Sequence, residues 1–299
     1  MPAASVRIRP LQILRSEPLR LLPWLVHGFS TRVGGRSRPY DGNALNLGFT
    51  SQDDRSAVER NRALFLRKLQ PRGSQCSGLV ILRQIHSDIV HAIDDPPRHP
   101  LAGDGMITNK PGILLGILTA DCIPIILADE KRRAIGVFHA GWRGTVKRIV
   151  QKGVGEMHRH FGSKPQDIRA AIGPGIHSCC YQVGPEIREH FQSQFEYADD
   201  LFREEKSSDV VRGKYPLLFL TARAPGHSEL PTSIFLDLIE ANRRQLLDAG
   251  VPEKKISSSS LCTSCRTDIL FSHRAEHGTT GRMMAVAGIS GRRKKSSSA

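Results

Sequence analysis

Ile113-Leu-Leu-Gly-Ile-Leu-Thr119-Ala-Asp-Cys122-Ile-Pro-Ile-Ile-Leu127 holds two apolar runs, Ile113 to Leu118 and Ile123 to Leu127, parted by four residues of which two are polar and one is a thiol. Neither run alternates apolar with polar, as a strand with one wet face would, so the pattern predicts strands of a sheet covered on both faces. Even joined, Gly112 to Ala128 is broken by Asp121 and Cys122 and falls short of the roughly 18 apolar residues of a membrane span. Working outward, Gly78 to Leu82, Ile89 to Ile93 and Ala134 to Phe138 read as further strands. Asp53 to Leu69 reads as a helix with Val58, Phe65 and Leu69 on one side. A second helix is expected from Thr145, with Val146, Ile149, Val150, Met157 and Phe161 as its apolar side, and a third over Phe235 to Ala249, stopped by Gly250 with Pro252 beyond. Strands and helices alternate without a Pro/Ser-rich linker. The expectation is one α/β domain over residues 23–290, with a basic extension at 1–22 and a basic, disordered tail at 291–299.

The 299 residues carry 43 Lys+Arg against 29 Asp+Glu, a formal net charge of +14. Residues 1–40 hold seven Arg and one Glu, the last nine residues four basic groups and no acid, and residues 41–290 only +4. The ends therefore carry most of the charge, and the body does not present the composition of a nucleic-acid-binding domain. Aromatic content is 6%, low for base-stacking platforms, and no helix-turn-helix or zinc-finger spacing is visible, so no specific nucleic-acid partner is expected. A basic nucleic-acid-binding protein is the rival of a different class, and it predicts steeply salt-dependent binding. Leu21 to Val26, interrupted by Pro23, is too short for a signal-peptide core; the Arg-rich start also resembles a transit peptide but has few Ser. Cytoplasmic residence is the expectation, with no membrane partner. Six cysteines without a secretory signal argue against a disulfide framework.

His139-Ala-Gly-Trp-Arg-Gly144 lies between a strand and a helix. Its glycines permit a tight turn, Thr145 can cap the helix, and Arg143 adds a forked cation, which describes either an anion site unlike a Walker A loop or a plain turn with a solvated arginine. Cys122 with His86 and His139, each at the end of a strand-like run, would make a Cys/His/His zinc site with one position open. The same residues could instead serve as a Cys/His nucleophilic pair, and because separations of 36 and 17 residues match no local metal signature, spacing alone favours a cysteine that only packs. His227-Ser-Glu229 with Cys262-Thr-Ser-Cys265 imitates a zinc deaminase pattern, but Leu261 stands where that pattern has proline. Gly173-Pro-Gly175 before Cys179-Cys180-Tyr181 reads as a turn or a pocket lining. Adjacent cysteines are expected to point apart and not to share a metal.

Taken together, His27-Gly-Phe-Ser-Thr-Arg-Val-Gly-Gly35, Leu45-Asn-Leu-Gly48, Gln84-Ile-His86, Gly103-Asp-Gly105, Thr119-Ala-Asp-Cys122, His139 to Gly144, Gly173-Pro-Gly-Ile176, Cys262-Thr263 and Thr280-Gly-Arg282 resemble, in order, the motifs of the YfiH/LACC1 family. The resemblance covers about residues 22 to 289. It implies a layered α/β sandwich distantly like a bacterial toxin cysteine hydrolase. It further implies zinc held by His86, Cys122 and His139, the catalytic set. The activities implied are phosphorolysis of adenosine, inosine, guanosine and 5′-methylthioadenosine, and deamination of adenosine. Nucleoside and inorganic phosphate would be the small-molecule partners, with Arg143, Gly144, Arg32 and Asn46 as substrate and phosphate groups. Older readings of the family give copper-dependent polyphenol oxidation, and some bacterial relatives are linked to amidase-type editing of peptidoglycan precursors. Near Phe271-Ser-His273-Arg274 the family more often has tyrosine before the arginine.

Overall fold

A computed structural model of the chain describes residues 10–40, 42–70, 76, 78–206 and 232–291. Residues 1–9, His227-Ser-Glu229 and the tail from 292 lie outside the described residues. In chain order the strands are β1 (Ile13–Leu14), β2 (Leu25–Ser30), β3 (Val33–Ser37), β4 (Gly78–Ile81), β5 (Val90–Ala92), β6 (Gly105–Thr108), β7 (Ile113–Thr119) and β8 (Ile123–Asp129). They continue with β9 (Ala134–Ala140), β10 (Ile168–Ile172), β11 (Gln182–Val183), β12 (Phe202–Lys206), β13 (Thr232–Leu236), β14 (Ile256–Ser258) and β15 (Met283–Ile289). The helices are α1 (Glu17–Arg20), α2 (Arg55–Leu69), α3 (Trp142–Val146), α4 (Ile149–Phe161), α5 (Pro185–Gln192) and α6 (Leu238–Asp248).

Two sheets stack in the middle of the molecule. One runs β1-β2-β15-β7-β4, the other β14-β10-β8-β9-β6-β5, and β11-β13-β12 form a small third sheet. Pairing is mostly antiparallel, with parallel contacts at β4–β7, β5–β6 and β10–β14. Strand periodicity explains why the apolar runs are continuous. On β7, Leu115 and Ile117 face the other sheet, while Leu114 packs outward with Phe65 and Leu69 of α2. On β8, Ile126 and Ala128 face inward, while Ile125 and Leu127 pack outward against α4 and α6. The layers are thus helix, sheet, sheet, helix, and β7 to β9 are buried almost throughout. The expected layered α/β sandwich is what the chain forms.

The expected helices hold with adjusted ends. Helix α2 starts after Asp54, whose carboxylate accepts the Ser56 N–H. Helix α6 starts only at Leu238, because 232–236 belong to β13 and Asp237 supplies the cap by accepting the Glu240 N–H. The helix expected from Thr145 is two helices. Arg148 sits at φ +62, and the Thr145 carbonyl accepts from the Gln245 side chain while its hydroxyl accepts from Asn242. Thr145 lies inside α3 and does not cap it; Gly141 is the capping residue. The boundary expected at residue 22 falls inside packed structure, since β1 pairs with β2 and Leu19 and Leu22 join the core between the sheets.

Phe138 on β9 is fully buried and its ring occupies space left by three glycines. A Cβ at Gly105, Gly136 or Gly153 would approach that ring to 2.8, 2.7 and 2.3 Å respectively. Gly153→Ala should therefore destabilise the protein by about 1–3 kcal/mol in urea denaturation, through overpacking. Gly155→Ala, on the same helix with nothing within 4 Å, should be neutral or stabilising. In a Phe138→Leu background the Gly153→Ala penalty should shrink. Equal penalties in both backgrounds would disprove the ring contact as its cause.

Candidate metal centre and cavity

The segment Ala120–Cys122 leaves β7 in one sheet and enters β8 in the other, so Cys122 stands where the chain crosses the edge of the sandwich. The crossing is tight. Asp121 adopts φ +91, a conformation a side-chain-bearing residue rarely takes, and the surroundings hold it there. Its carboxylate accepts the Thr263 hydroxyl at 2.6 Å and the Arg274 N–H at 2.6 Å, and its carbonyl accepts the Ile176 N–H at 2.8 Å. His139 is on β9, paired with β8 at Pro124. His86 lies beyond β4 at φ +56. The side chain of Gln84 exchanges two hydrogen bonds with the backbone of Leu118 at 2.7 and 2.8 Å, continuing the β4–β7 pairing and fixing the His86 loop beside Cys122.

The structure thus brings together the three residues expected as metal ligands. One ligand atom from each of His86, Cys122 and His139 lies within 4.8 Å of the others, and Cys122 Sγ is 3.9 Å from His86 Nε2. A Cβ on Gly141 would sit 3.0 Å from Cys122 Sγ and 3.1 Å from His86 Cδ2, so a side chain there would crowd the cluster.

Asp104, fully buried, organises the cluster. Its carboxylate accepts the N–H groups of Ile85, His86 and Ser87, the Ser87 hydroxyl at 2.7 Å and His139 Nδ1 at 2.8 Å. With Nδ1 bound to Asp104, His139 is left with Nε2 as its free ring nitrogen, the carboxylate–histidine pairing common behind metal ligands. Burial opposes ionisation of Asp104, but His139 and Ser87 hold it well below the usual carboxylate range. Burial would likewise push the Cys122 thiol up and the His139 imidazolium down. Against it, His139 and then His86 draw the thiol down to about 6, and the Cys122 thiolate with Asp104 lifts His139 to about 9. Without a metal the pair is a thiolate–imidazolium. The donor set, two imidazoles and a thiolate with one position left over, suits a tetrahedral zinc site of the catalytic kind.

The cluster forms part of the wall of a cavity of about 800 Å³ that also meets Phe49, Trp142, Tyr181, His273, Arg274 and Arg282. Arg143 reaches it too, its guanidinium stacked over Trp142 at 4.4 Å. Among the described residues no carboxylate pairs with Arg143, Arg274 or Arg282. The other expected substrate groups are placed differently. Arg32 is buried and bonds to Glu276 at 2.9 Å, to the Thr267 carbonyl at 2.8 Å and over the Phe271 ring. Asn46 is buried, bonds to Asp53 and accepts the N–H groups of Gly48 and Arg282, so it positions two cavity residues without facing the cavity itself. Gly144 packs against Ser87, with its Cβ position 3.0 Å from that carbonyl. Sequence reasoning gave no role to Asp104, Arg274 or Arg282, although all three stand in motifs it quoted.

A helix–sheet–sheet–helix sandwich with a Cys/His/His donor cluster at the sheet crossover, opening on an arginine-lined cavity, defines a class of mixed α/β proteins whose donors could hold one metal ion. The sequence profile described as "Multi-copper polyphenol oxidoreductase laccase" matches residues 26–290, and the chain belongs to this family, the YfiH/LACC1 family. It is 36% identical over 270 residues to "Purine nucleoside phosphorylase YlmD" of Geobacillus stearothermophilus, covering 88% of this chain and 89% of the relative. It is 35% identical over 269 residues to "Adenosine deaminase RL5" of an unknown prokaryotic organism, covering 86% and 91%. The crystal structure of the Bacillus licheniformis hypothetical protein YfiH superposes with a TM-score of 0.77 at 32% identity, covering 94% of this chain and 97% of that one. No helix among the described residues is long and apolar enough to cross a membrane.

Two outcomes follow from the Asp104 network. Asp104→Asn should weaken metal binding about 10–100-fold, read by competition with a chromophoric chelator, because it removes the anion that orients and polarises His139. In metal-free protein, alkylation of Cys122 followed by peptide mass mapping should have its midpoint near pH 6, slowing below it as the thiol protonates. His139→Ala should move that midpoint upward, and an unshifted midpoint would show that the imidazolium is not the cause.

Proposed function

We propose that the protein is a zinc-dependent purine nucleoside phosphorylase, taking adenosine, inosine, guanosine and 5′-methylthioadenosine, that also deaminates adenosine. The observation that supports this reading most is the Cys122/His86/His139 cluster and the unpaired Arg143 on one cavity wall. The names of the relatives agree with it. In phosphorolysis the C1′–N9 bond breaks while a phosphate oxygen bonds to C1′. Phosphate must be held beside a centre that is gaining positive charge, which is a task of positioning and electrostatics. Arg143 offers a forked donor for that anion, braced by Trp142, and Arg274 and Arg282 add charge across the cavity. Burial, and then the Cys122 thiolate, push the Tyr181 phenol up, so it faces the cavity as a neutral hydroxyl able to donate to a purine nitrogen. A zinc ion at the cluster would supply a Lewis acid and, for deamination at C6, a water acidic near neutrality.

Phenol oxidation of the laccase type needs several copper centres. Among the described residues the groups able to hold a metal are this cluster and a second one made only of cysteines, which does not supply the histidines such centres use. Amide hydrolysis would use the Cys122–His139 pair as nucleophile and base, but the arginines favour an anionic co-substrate.

Purified zinc-loaded protein incubated with adenosine, with and without phosphate, should release adenine only when phosphate is present and inosine in either case, resolved by chromatography. Cys122→Ala should lose both products by about 100-fold or more. Arg143→Gln should raise KM for phosphate about 10-fold or more and leave phosphate-free deamination near the parent rate. Phosphate-independent base release, or parental activity in Cys122→Ala, would refute the proposal.

A further inference from the structure

Four of the six cysteines converge away from the cavity. Cys179 and Cys180 lie in a turn before β11, and Cys262 and Cys265 in a turn after β14. The Sγ atoms of Cys179 and Cys180 are 3.6 Å apart, those of Cys179 and Cys265 3.6 Å, and those of Cys180 and Cys265 3.3 Å. All four sulfurs lie within 4.8 Å of one another. This corrects the expectation that adjacent cysteines point apart. That rule holds on a strand, where successive side chains alternate, but residues 178–180 form a turn that aims both side chains the same way.

We propose that Cys179, Cys180, Cys262 and Cys265 form a closed zinc–tetrathiolate site that clamps the 174–181 loop to the 262–265 turn. A tetrahedron with Zn–S bonds near 2.3 Å has sulfur–sulfur edges of roughly 3.8 Å, close to the separations found. A disulfide needs about 2.05 Å, and each pair here would have to close by more than an ångström. A second observation is independent of the spacing. The backbone N–H of His177 donates to the buried Cys262 Sγ at 3.5 Å. An amide donor aimed at a buried sulfur is suited to a thiolate, as the amides around a tetrathiolate metal site are. Four donors with no position left over make the site structural. Binding converts thiols to thiolates, and their protons pass to solvent.

The clamp bears on the cavity. Thr263, between the two cysteines of the second turn, donates its N–H to the Gly175 carbonyl and its hydroxyl to Asp121, the residue that sets the direction of Cys122. Tyr181, next to Cys180, lines the cavity. Zinc at the cysteines would hold both contacts without touching substrate.

The test is metal analysis of the full chain, expressed with Zn²⁺ and freed of loosely bound ions. The parent should carry about two zinc ions per chain and Cys122→Ala about one. The double variant Cys179→Ser, Cys265→Ser should keep the cavity zinc and lose the other, with a lower melting temperature. Cobalt substitution of Cys122→Ala should give the strong sulfur-to-metal charge-transfer absorption of a tetrathiolate. Should the double variant misfold, Cys265→His, which retains a donor, should restore both the fold and the second ion. The proposal is overturned if Cys122→Ala holds no zinc while folded, if iron occupies the cysteines, or if mass spectrometry of untreated protein finds them joined as disulfides. Loss of phosphorolysis with the second zinc intact would bear on the cavity alone.

Discussion

The carboxylate of Asp104 is the group on which the site depends. A buried anion is costly unless every lone pair is occupied, and here five donors from two segments of chain occupy it. Satisfying that one charge places the His86 loop, fixes which nitrogen of His139 stays free, and makes the neighbourhood favourable for cations. Cys122 then comes to a place already prepared for a thiolate. The polar side chains around the cluster are arranged to serve this carboxylate first, and the geometry of the donors follows from it.

The sandwich supplies the second constraint. Because β7 belongs to one sheet and β8 to the other, the short link between them must turn sharply at the rim, and the turn is paid in backbone strain at Asp121. The strain is tolerated because Thr263, Arg274 and Ile176, all distant in sequence, bond to the same residue. The cavity is thus lined on one side by the sheet edges and on another by residues of the segment from 273 to 282.

Much of this was legible in the sequence. The unbroken apolar runs at 113–118 and 123–127 announced buried strands, since in the middle of a four-layer stack both faces of a strand meet other side chains. Cys122, His86 and His139 were legible as ends of strands and as parts of a recognisable motif set. What local pattern could not show is where long-range partners lie. The resemblance placed Arg32 among the phosphate and substrate groups, yet it turns inward because Glu276 and the Thr267 carbonyl, more than 230 residues away, receive it. The cysteine cluster was hidden for the same reason: 179–180 and 262–265 meet only because Gly175 bridges to Cys262. The break between α3 and α4, where Arg148 turns to φ +62, was invisible because one of the groups that bond the Thr145 carbonyl there is a glutamine on α6.

The position of β15 carries a consequence for the order of events during synthesis. This strand, Met283–Ile289, lies between β2 and β7 in the centre of its sheet, although it is the last strand of the described chain. While the ribosome is still translating the residues before it, β2 and β7 have no shared neighbour, and the core between the sheets lacks Ala285 and Ala287. His86, Cys122 and His139 have all been made by residue 139, but their final arrangement waits on a strand made about 150 residues later. At roughly 5–20 residues per second the emerging thiol and imidazoles spend on the order of ten seconds without their framework. The finished geometry of the cluster is thereby tied to the arrival of β15, since donors on an unfolded chain are not held in a preformed site.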